Sequence, residues 1–443
     1  MNKMSIWSIS LLSAVILNTA SLFAQEQPLA LKSSESLELV GKTSKNAVEF
    51  ALNEPMTFSF TLQCKEGDVT NKFDLVVRRR GDDGVSITKR FPIKVGETID
   101  YTTSIAIPGF VDVRGHIEDE AKTRLKHTVH YWGGKHKYDI CAMMGAGAAI
   151  SEIKQTVAEP ADFDAYWAKE ISKLEDIPVE AELNCVNTNL NGKCVYAVKV
   201  SSPTKQPVTG YIVMDPNAKP GTQSATVEFM GYGCSKQYPL GYASDDIYFQ
   251  INAHGYELGK DNAYYSEYDK IIRSNGHGYA MDPEQNSNPD TAYFHDMLLR
   301  ALRALQYVKS LPQWDGKNLT VTGGSQGGLQ SVWAAAHDYD VTKCRIGIVW
   351  CCDIGSQTNG KLLRSWHPGW VDALGYYDAV NHAKRISVPV EFDRIGLGDY
   401  TCSPRSNAVL YNAFQVPVKA KWYSGSDHGY VSPWAEKFET SRE

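Results

Sequence analysis

The segment Val321-Thr-Gly-Gly-Ser-Gln-Gly-Gly328 places one serine where a serine can act as a nucleophile. Asn318 to Thr322 reads as a short apolar strand, and Leu329 to Ala336 reads as the body of a helix that starts at Gln326. A serine on so sharp a strand-to-helix turn takes strained backbone angles and leaves no room for side chains beside it. Gly323 and Gly327 supply neighbours without a Cβ. The turn aims the Ser325 hydroxyl out over the sheet edge, and the helix start behind it offers N–H groups to developing negative charge. The plain alternative is a glycine-rich turn around a buried serine; the strand before and the helix after favour the nucleophile.

Such a serine needs a base to take its proton and an acid to orient that base. In a sheet of this kind the chain order is serine, acid, histidine, with the last two in loops after late strands. Two strands after Ser325 the chain reads Arg394-Ile-Gly-Leu-Gly-Asp399-Tyr-Thr-Cys-Ser-Pro404, and one strand later Ser424-Gly-Ser-Asp427-His428-Gly429. Both fall at carboxyl ends of strands, where ligands bind in open α/β sheets. Of eleven histidines, His428 alone combines the end of the last of these strands with an adjacent glycine, so it is the expected base. Asp399 is the expected acid. Asp393, within the preceding strand, and Asp353, after an earlier one, stay as alternatives, whereas Asp427 is too close in sequence to orient its neighbour. The oxyanion of an acyl-transfer intermediate needs backbone donors. Gln326 N–H is one, and Tyr232 N–H, between the glycines of Phe229-Met-Gly-Tyr-Gly-Cys234, is the candidate for the second.

The elements around these residues alternate. Tyr196–Val200, Gly210–Met214, Ala225–Phe229, Ile247–Ile251, Arg345–Trp350, Val390–Arg394 and Val418–Tyr423 read as strands; Phe163–Leu174 and Tyr293–Ser310 read as helices. That alternation predicts an α/β, doubly wound, mostly parallel sheet over residues 146–443, of the α/β-hydrolase type once the serine turn is included. Residues 25–145 read differently. Met56–Gln63, Phe73–Arg78 and Ile99–Ile105 alternate at period two between turn clusters such as Gly81-Asp-Asp-Gly84, which predicts a small all-β, immunoglobulin-like sandwich with a packing or accessory-binding role. At the amino terminus, Lys3, the apolar run Ile6 to Leu17 and the small residues Ala20, Ser21 and Ala24 spell a secretory signal peptide over residues 1–24, hence a periplasmic or secreted protein. The 443 residues carry a net charge of −6 and no basic run, which points away from nucleic acid and anionic membranes as partners. Nine cysteines define no framework; Cys185 with Cys194 across a hairpin, and Cys64 with Cys141, are the expected bridges, and Cys351 and Cys352 are expected as packed thiols. No cysteine or histidine spacing suits zinc, so neither metal nor cofactor is expected.

With those residues in place the chain resembles the acetyl xylan esterase / cephalosporin-C deacetylase family, carbohydrate esterase family seven. The resemblance runs from about Glu159 to His428. It rests on Glu159-Pro-Ala-Asp-Phe-Asp-Ala-Tyr-Trp167, on Leu311-Pro-Gln-Trp-Asp315 followed by the Gly-Gly-Ser-Gln-Gly-Gly turn, on Tyr376-Tyr-Asp-Ala-Val-Asn381 and on Gly396-Leu-Gly-Asp-Tyr-Thr-Cys-Ser-Pro404. It implies Ser325, Asp399 and His428 as a catalytic triad, Tyr232 and Gln326 as oxyanion donors, an acetylated carbohydrate as substrate, and homo-oligomer formation. The chain departs from the family at Met230, where histidine is usual, at Asn252-Ala-His-Gly-Tyr-Glu257, where an Arg-Gly-Gln-Gly block is usual, and in a shorter 353–373 segment. Two rival readings are a prolyl-oligopeptidase-type serine peptidase, disfavoured by Gln326 and the short amino-terminal part, and a polysaccharide-binding protein with a decayed hydrolase, disfavoured by the intact set of triad residue types.

Overall fold

The computed structural model describes residues 31, 33–65, 69–131, 134–190, 192–240, 246–360, 362–363 and 365–443. The expected signal peptide, residues 1–24, lies outside them.

The first part is all β: β1 (Leu37–Thr43), β2 (Met56–Cys64), β3 (Phe73–Gly81), β4 (Ser86–Ile93), β5 (Thr98–Thr103), β6 (Gly109–Glu118), β7 (Lys126–Tyr131), β8 (Gly134–Asp139) and β9 (Cys141–Ala148). Alternation in β2 sends Met56, Phe58, Phe60 and Leu62 inward and leaves the threonines and serine between them half-buried, as a one-sided strand requires. One sheet has the order β1-β2-β5 and a second the order β4-β3-β6-β9, with β7 and β8 as a separate hairpin. The two sheets press face to face: a Cβ on Gly115 of β6 would lie 2.5 Å from the Phe60 ring of β2. The boundary expected after residue 145 falls inside β9, which is buried from Ala142 to Ala148.

The second part holds β10 (Ala181–Leu190), β11 (Lys193–Val200), β12 (Val208–Met214), β13 (Gln223–Phe229), β14 (Ile247–Ile251), β15 (Trp314–Gly324), β16 (Lys343–Gly347), β17 (Val390–Gly396), β18 (Val418–Ser426) and β19 (Val431–Arg442). Its helices are α1 (Phe163–Ser172), α2 (Asn262–Ile271), α3 (Tyr293–Ser310), α4 (Gln326–His337), α5 (Ala379–Ala383) and α6 (Pro404–Ala413). The ten strands form one sheet in the order β10-β11-β12-β14-β13-β15-β16-β17-β18-β19. Pairings from β14 through β18 are parallel, and those on both flanks are antiparallel, so the sheet is mixed around a parallel centre. Helix α3 lies against β11, β12, β13 and β15, and α4 against β13, β15 and β16. Because β15, β17 and β18 run the same way, the turns that leave them gather at one sheet edge.

Three expectations are corrected. The strand read as Arg345–Trp350 stops at Gly347, because Ile348 and Cys351 take left-handed φ values of 40° and 55°. Strand β19, unread in the sequence, and β10, read there only as one arm of the Cys185–Cys194 hairpin, extend the sheet at its edges. Among the described residues no disulfide is formed. Cys185 faces Tyr196 and Cys194 faces Met214 across their ladders, so that pair is out of register, and Cys64 and Cys141 sit in different sheets with free thiols. No helix among the described residues is long and apolar enough to cross a membrane.

Candidate active site

Ser325 stands between β15 and α4 with φ 58° and ψ −121°, a backbone that side chains other than glycine rarely adopt. Its N–H donates to Gly347 O at 3.0 Å and its carbonyl accepts from Trp350 N–H at 3.1 Å, so the exit of β16 holds the turn in place. The glycines around it are a spatial necessity. A Cβ on Gly323 would lie 2.5 Å from Gly327 C, and one on Gly327 would lie 2.0 Å from Phe229 O. The second contact draws the loop after β13 directly against the start of α4.

His428 follows β18, and its carbonyl accepts from Arg394 Nη2 at 2.8 Å, which ties it to the end of β17. Its Nε2 lies 3.1 Å from Ser325 Oγ, and its Nδ1 lies 2.9 Å from Asp399 Oδ2. Asp399 is fully buried; its Oδ1 accepts from Thr401 N–H at 2.8 Å and from Cys402 N–H at 2.9 Å. A carboxylate with three donors stays an acceptor, so the imidazole proton belongs on Nδ1 and the Nε2 lone pair faces the serine hydroxyl. The arrangement can therefore take a proton from Ser325.

The alternative acids are engaged elsewhere. Asp353 accepts from Thr156 N–H and binds Arg405; Asp393 pairs with Lys421 at 3.0 Å; Asp427 accepts from Gly429 N–H, Tyr430 N–H and the Tyr138 hydroxyl. Other histidines are likewise partnered, as His337 with His382 and His295 with Glu170.

Gln326 is the first residue of α4, so its N–H has no carbonyl one turn earlier to bond and is open to an anion. Tyr232 lies on the adjoining loop, and that loop is braced by residues to which sequence reasoning gave no role. Gly233 N–H donates to the Tyr279 hydroxyl at 2.7 Å, and that hydroxyl donates to Gln326 Oε1 at 2.8 Å. The Tyr232 ring stacks on Tyr279 with centroids 4.1 Å apart, and its hydroxyl donates to Tyr279 O at 3.1 Å. His254 supports the same loop. Its Nε2 is 3.0 Å from Gly233 O, which can only accept, so Nε2 carries the proton and Nδ1 accepts from the Tyr293 hydroxyl at 2.7 Å. Burial holds this imidazole down at a pKa of about 4, so it is neutral near pH 7. One tyrosine thus joins the flanks of both candidate oxyanion donors.

Cys402 was quoted in the acid block without a role. Burial, followed by the neighbouring Asp399 carboxylate, keeps its thiol well above the usual range, and it lies beside the Ser325 hydroxyl. Among the described residues the one grouping with metal-like spacing is Asp399, Cys402 and His428, whose ligand atoms lie within 4.8 Å of one another. Two of those three side chains already belong to the hydrogen-bonded chain on Ser325.

Comparison with known proteins agrees with this architecture. The family model described as acetyl xylan esterase (AXE1) matches residues 148–356 and 368–441. The acetyl esterase Axe7A of Xylanibacter ruminicola is 24% identical over 353 residues, covering 74% of this chain and 72% of the relative. Among solved structures, an acetyl xylan esterase from Paenibacillus sp. R4 superposes with a TM-score of 0.52 at 22% identity, over 63% of this chain and 93% of that one. Acetyl xylan esterase 1 from Thermoanaerobacterium sp. JW/SL YS485 gives 0.53 at 21% identity, over 64% and 94%. Those likenesses establish the α/β-hydrolase fold of the second part. The chain belongs to the acetyl xylan esterase family and is a carboxylic ester hydrolase, a carbohydrate esterase.

Proposed function

We propose that the protein is a serine esterase that removes O-acetyl groups from acetylated plant polysaccharides or oligosaccharides through an acetyl-enzyme on Ser325. The observation that carries this reading is the chain Ser325 Oγ–His428 Nε2 (3.1 Å) and His428 Nδ1–Asp399 Oδ2 (2.9 Å) beside the start of α4. His428 Nε2 takes the hydroxyl proton as Ser325 Oγ bonds to the acetyl carbon. Asp399 stabilises the imidazolium through Nδ1–H. The N–H groups of Gln326 and Tyr232 hold the oxyanion. Collapse breaks the bond to the sugar oxygen, which takes the proton from Nε2 and leaves as a hydroxyl. Water, deprotonated by the same nitrogen, then attacks the acetyl-enzyme and releases acetate and the free serine.

Ser325→Ala should lower p-nitrophenyl acetate turnover by about 10³-fold or more, as loss of a triad nucleophile does. Turnover close to that of the unmodified protein would overturn the assignment.

The amino-terminal unit we read as an immunoglobulin-like sandwich; the strand orders β1-β2-β5 and β4-β3-β6-β9 support that reading. Export to the periplasm or medium rests on the composition of residues 1–24.

A further inference from the structure

The family match breaks over residues 357–367, and inside that break stands an aromatic side chain turned to solvent. Trp366 is 45% exposed, although it is surrounded by fixed structure. Its N–H donates to Thr401 O at 3.0 Å, and its carbonyl accepts from Trp350 Nε1 at 2.6 Å. Its neighbour Ser365 donates to Ser403 Oγ or Ser406 Oγ, at 3.0 and 3.1 Å. Further back, Leu363 N–H donates at 2.9 Å to Asp82 Oδ1 of the amino-terminal unit, whose Oδ2 accepts from Phe110 N–H at 2.7 Å.

The indole is equally well placed. It lies nearly parallel to the buried Trp350, with centroids 5.5 Å apart and planes at 23°, and meets the Tyr232 ring edge-on at 4.8 Å and 89°. One side of Trp366 therefore touches the loop that carries Tyr232. Its backbone is bonded to Thr401, two residues from Asp399. An indole left exposed at that position forgoes the gain of burying a large apolar surface, while its backbone is bonded to Thr401 and Trp350. A pyranose ring offers a face of C–H groups that packs on such a surface with no charge partner required.

We propose that Trp366 is a platform on which a neutral sugar ring of the substrate packs, so that this residue helps decide which acetyl esters are favoured. The proposal rests on the serine esterase reading. It deepens that reading by naming a residue that discriminates sugar esters from simple acetyl esters.

The test compares Trp366→Ala, Trp366→Phe and the unmodified full chain on acetylated xylotriose and on p-nitrophenyl acetate. Trp366→Ala should raise KM for acetylated xylotriose about tenfold, the upper end of one aromatic contact, against less than about threefold for p-nitrophenyl acetate. Trp366→Phe should recover most of the difference. An equal change on both substrates would overturn the proposal, because it would mark Trp366 as a brace for Tyr232; no change on either would overturn it as well. If the unmodified protein does not hydrolyse p-nitrophenyl acetate, the esterase reading fails. The platform is then judged by titrating the Ser325→Ala protein with xylotriose and following indole fluorescence. A saturable change absent from Ser325→Ala/Trp366→Ala upholds it, and no change, or the same change in both proteins, refutes it.

Discussion

Replacing Asp399 by asparagine is the most informative single perturbation, because the surroundings of the side chain dictate how the new amide must sit. Oδ1 of Asp399 accepts two backbone N–H groups, from Thr401 and Cys402 at 2.8 and 2.9 Å, while Oδ2 accepts His428 Nδ1–H at 2.9 Å. Asparagine has one acceptor oxygen and one NH₂ donor. If the oxygen stays with the two backbone donors, the NH₂ faces Nδ1. His428 must then accept at Nδ1 and carry its proton on Nε2, pointing N–H at Ser325 Oγ when a lone pair is needed. The reverse orientation restores the useful tautomer but aims the NH₂ at two backbone N–H groups, Cys402 in a buried bond and Thr401 in a half-buried one. Each such unsatisfied group costs about 1–3 kcal/mol, so the reverse orientation lies about 2–6 kcal/mol higher. That gap corresponds to a population ratio of about 30 to 10⁴ against the working tautomer. Loss of the correct tautomer in a Ser-His-Asp site costs about 10⁴ in kcat, which lies at the upper end of this range. Asp399→Asn should therefore lower kcat on p-nitrophenyl acetate by about 10²- to 10⁴-fold at pH 7, with KM much less affected. Circular dichroism should match the unmodified protein. A fall smaller than about tenfold in a folded variant would refute the reasoning, since it would mean that Asp399 does not set the His428 tautomer.

Tyr279→Phe removes both the acceptor of Gly233 N–H and the donor to Gln326 Oε1, so kcat should fall by about tenfold or more while KM moves little; an unchanged kcat would show that the two oxyanion flanks hold without it. For His254 the folded pKa of about 4 lies below the usual 6.5, so between those values the folded protein binds fewer protons than the unfolded chain. The stability this burial contributes is present above the unfolded value and is lost as pH falls towards 4, by about 3 kcal/mol in all. Urea unfolding of His254→Gln should accordingly show a shallower fall in stability across that window than the unmodified protein, and an identical pH slope would refute the assignment.

How far each part could be read beforehand follows from how local its cause is. Helix α3 has the bounds Tyr293–Ser310 expected of it, because an amphipathic period over eighteen residues is a property of the segment itself. The turn at Ser325 is equally local: Gly323 and Gly327 are required by atoms of the turn and of the loop beside it. Edge strand β19 alternates weakly, with exposed or half-buried residues on both faces, and so gives little signal of a strand. Tyr279, His254 and Asp82 could not have been found by pattern. Each acts on a partner far away in the chain, Gln326, Gly233 and Leu363 respectively. In the sequence Asp82 was one of two aspartates in a turn cluster, and His254 was one of many histidines in connections.

The same distinction changes what the amino-terminal unit means. Composition suggested a packing or accessory-binding module, yet its contacts fall on the loops that carry the site. Arg114 Nη2 donates to Gly398 O at 3.3 Å, and the Arg80 and Arg114 guanidinium groups lie 4.2 and 5.3 Å from the Tyr400 ring, on either side of Asp399 in sequence. Gly398 has no room for a Cβ because Met143 of β9 would lie 2.6 Å from it. The Tyr138 hydroxyl of β8 donates to Asp427, next to His428, and Asp82 holds Leu363, three residues before Trp366. Each contact alone is a small term, a cation–π pair or one hydrogen bond worth about 1 kcal/mol. Their effect on chemistry is larger than their energies, because a displacement of about 1 Å in an orienting group can cost about 10²-fold in rate. Loops on a sheet edge are mobile by default. Here the Asp399 loop is bonded to β6, the His428 loop to the β7–β8 hairpin and the Trp366 loop to the turn after β3, so the amino-terminal unit contributes to the scaffold around Ser325.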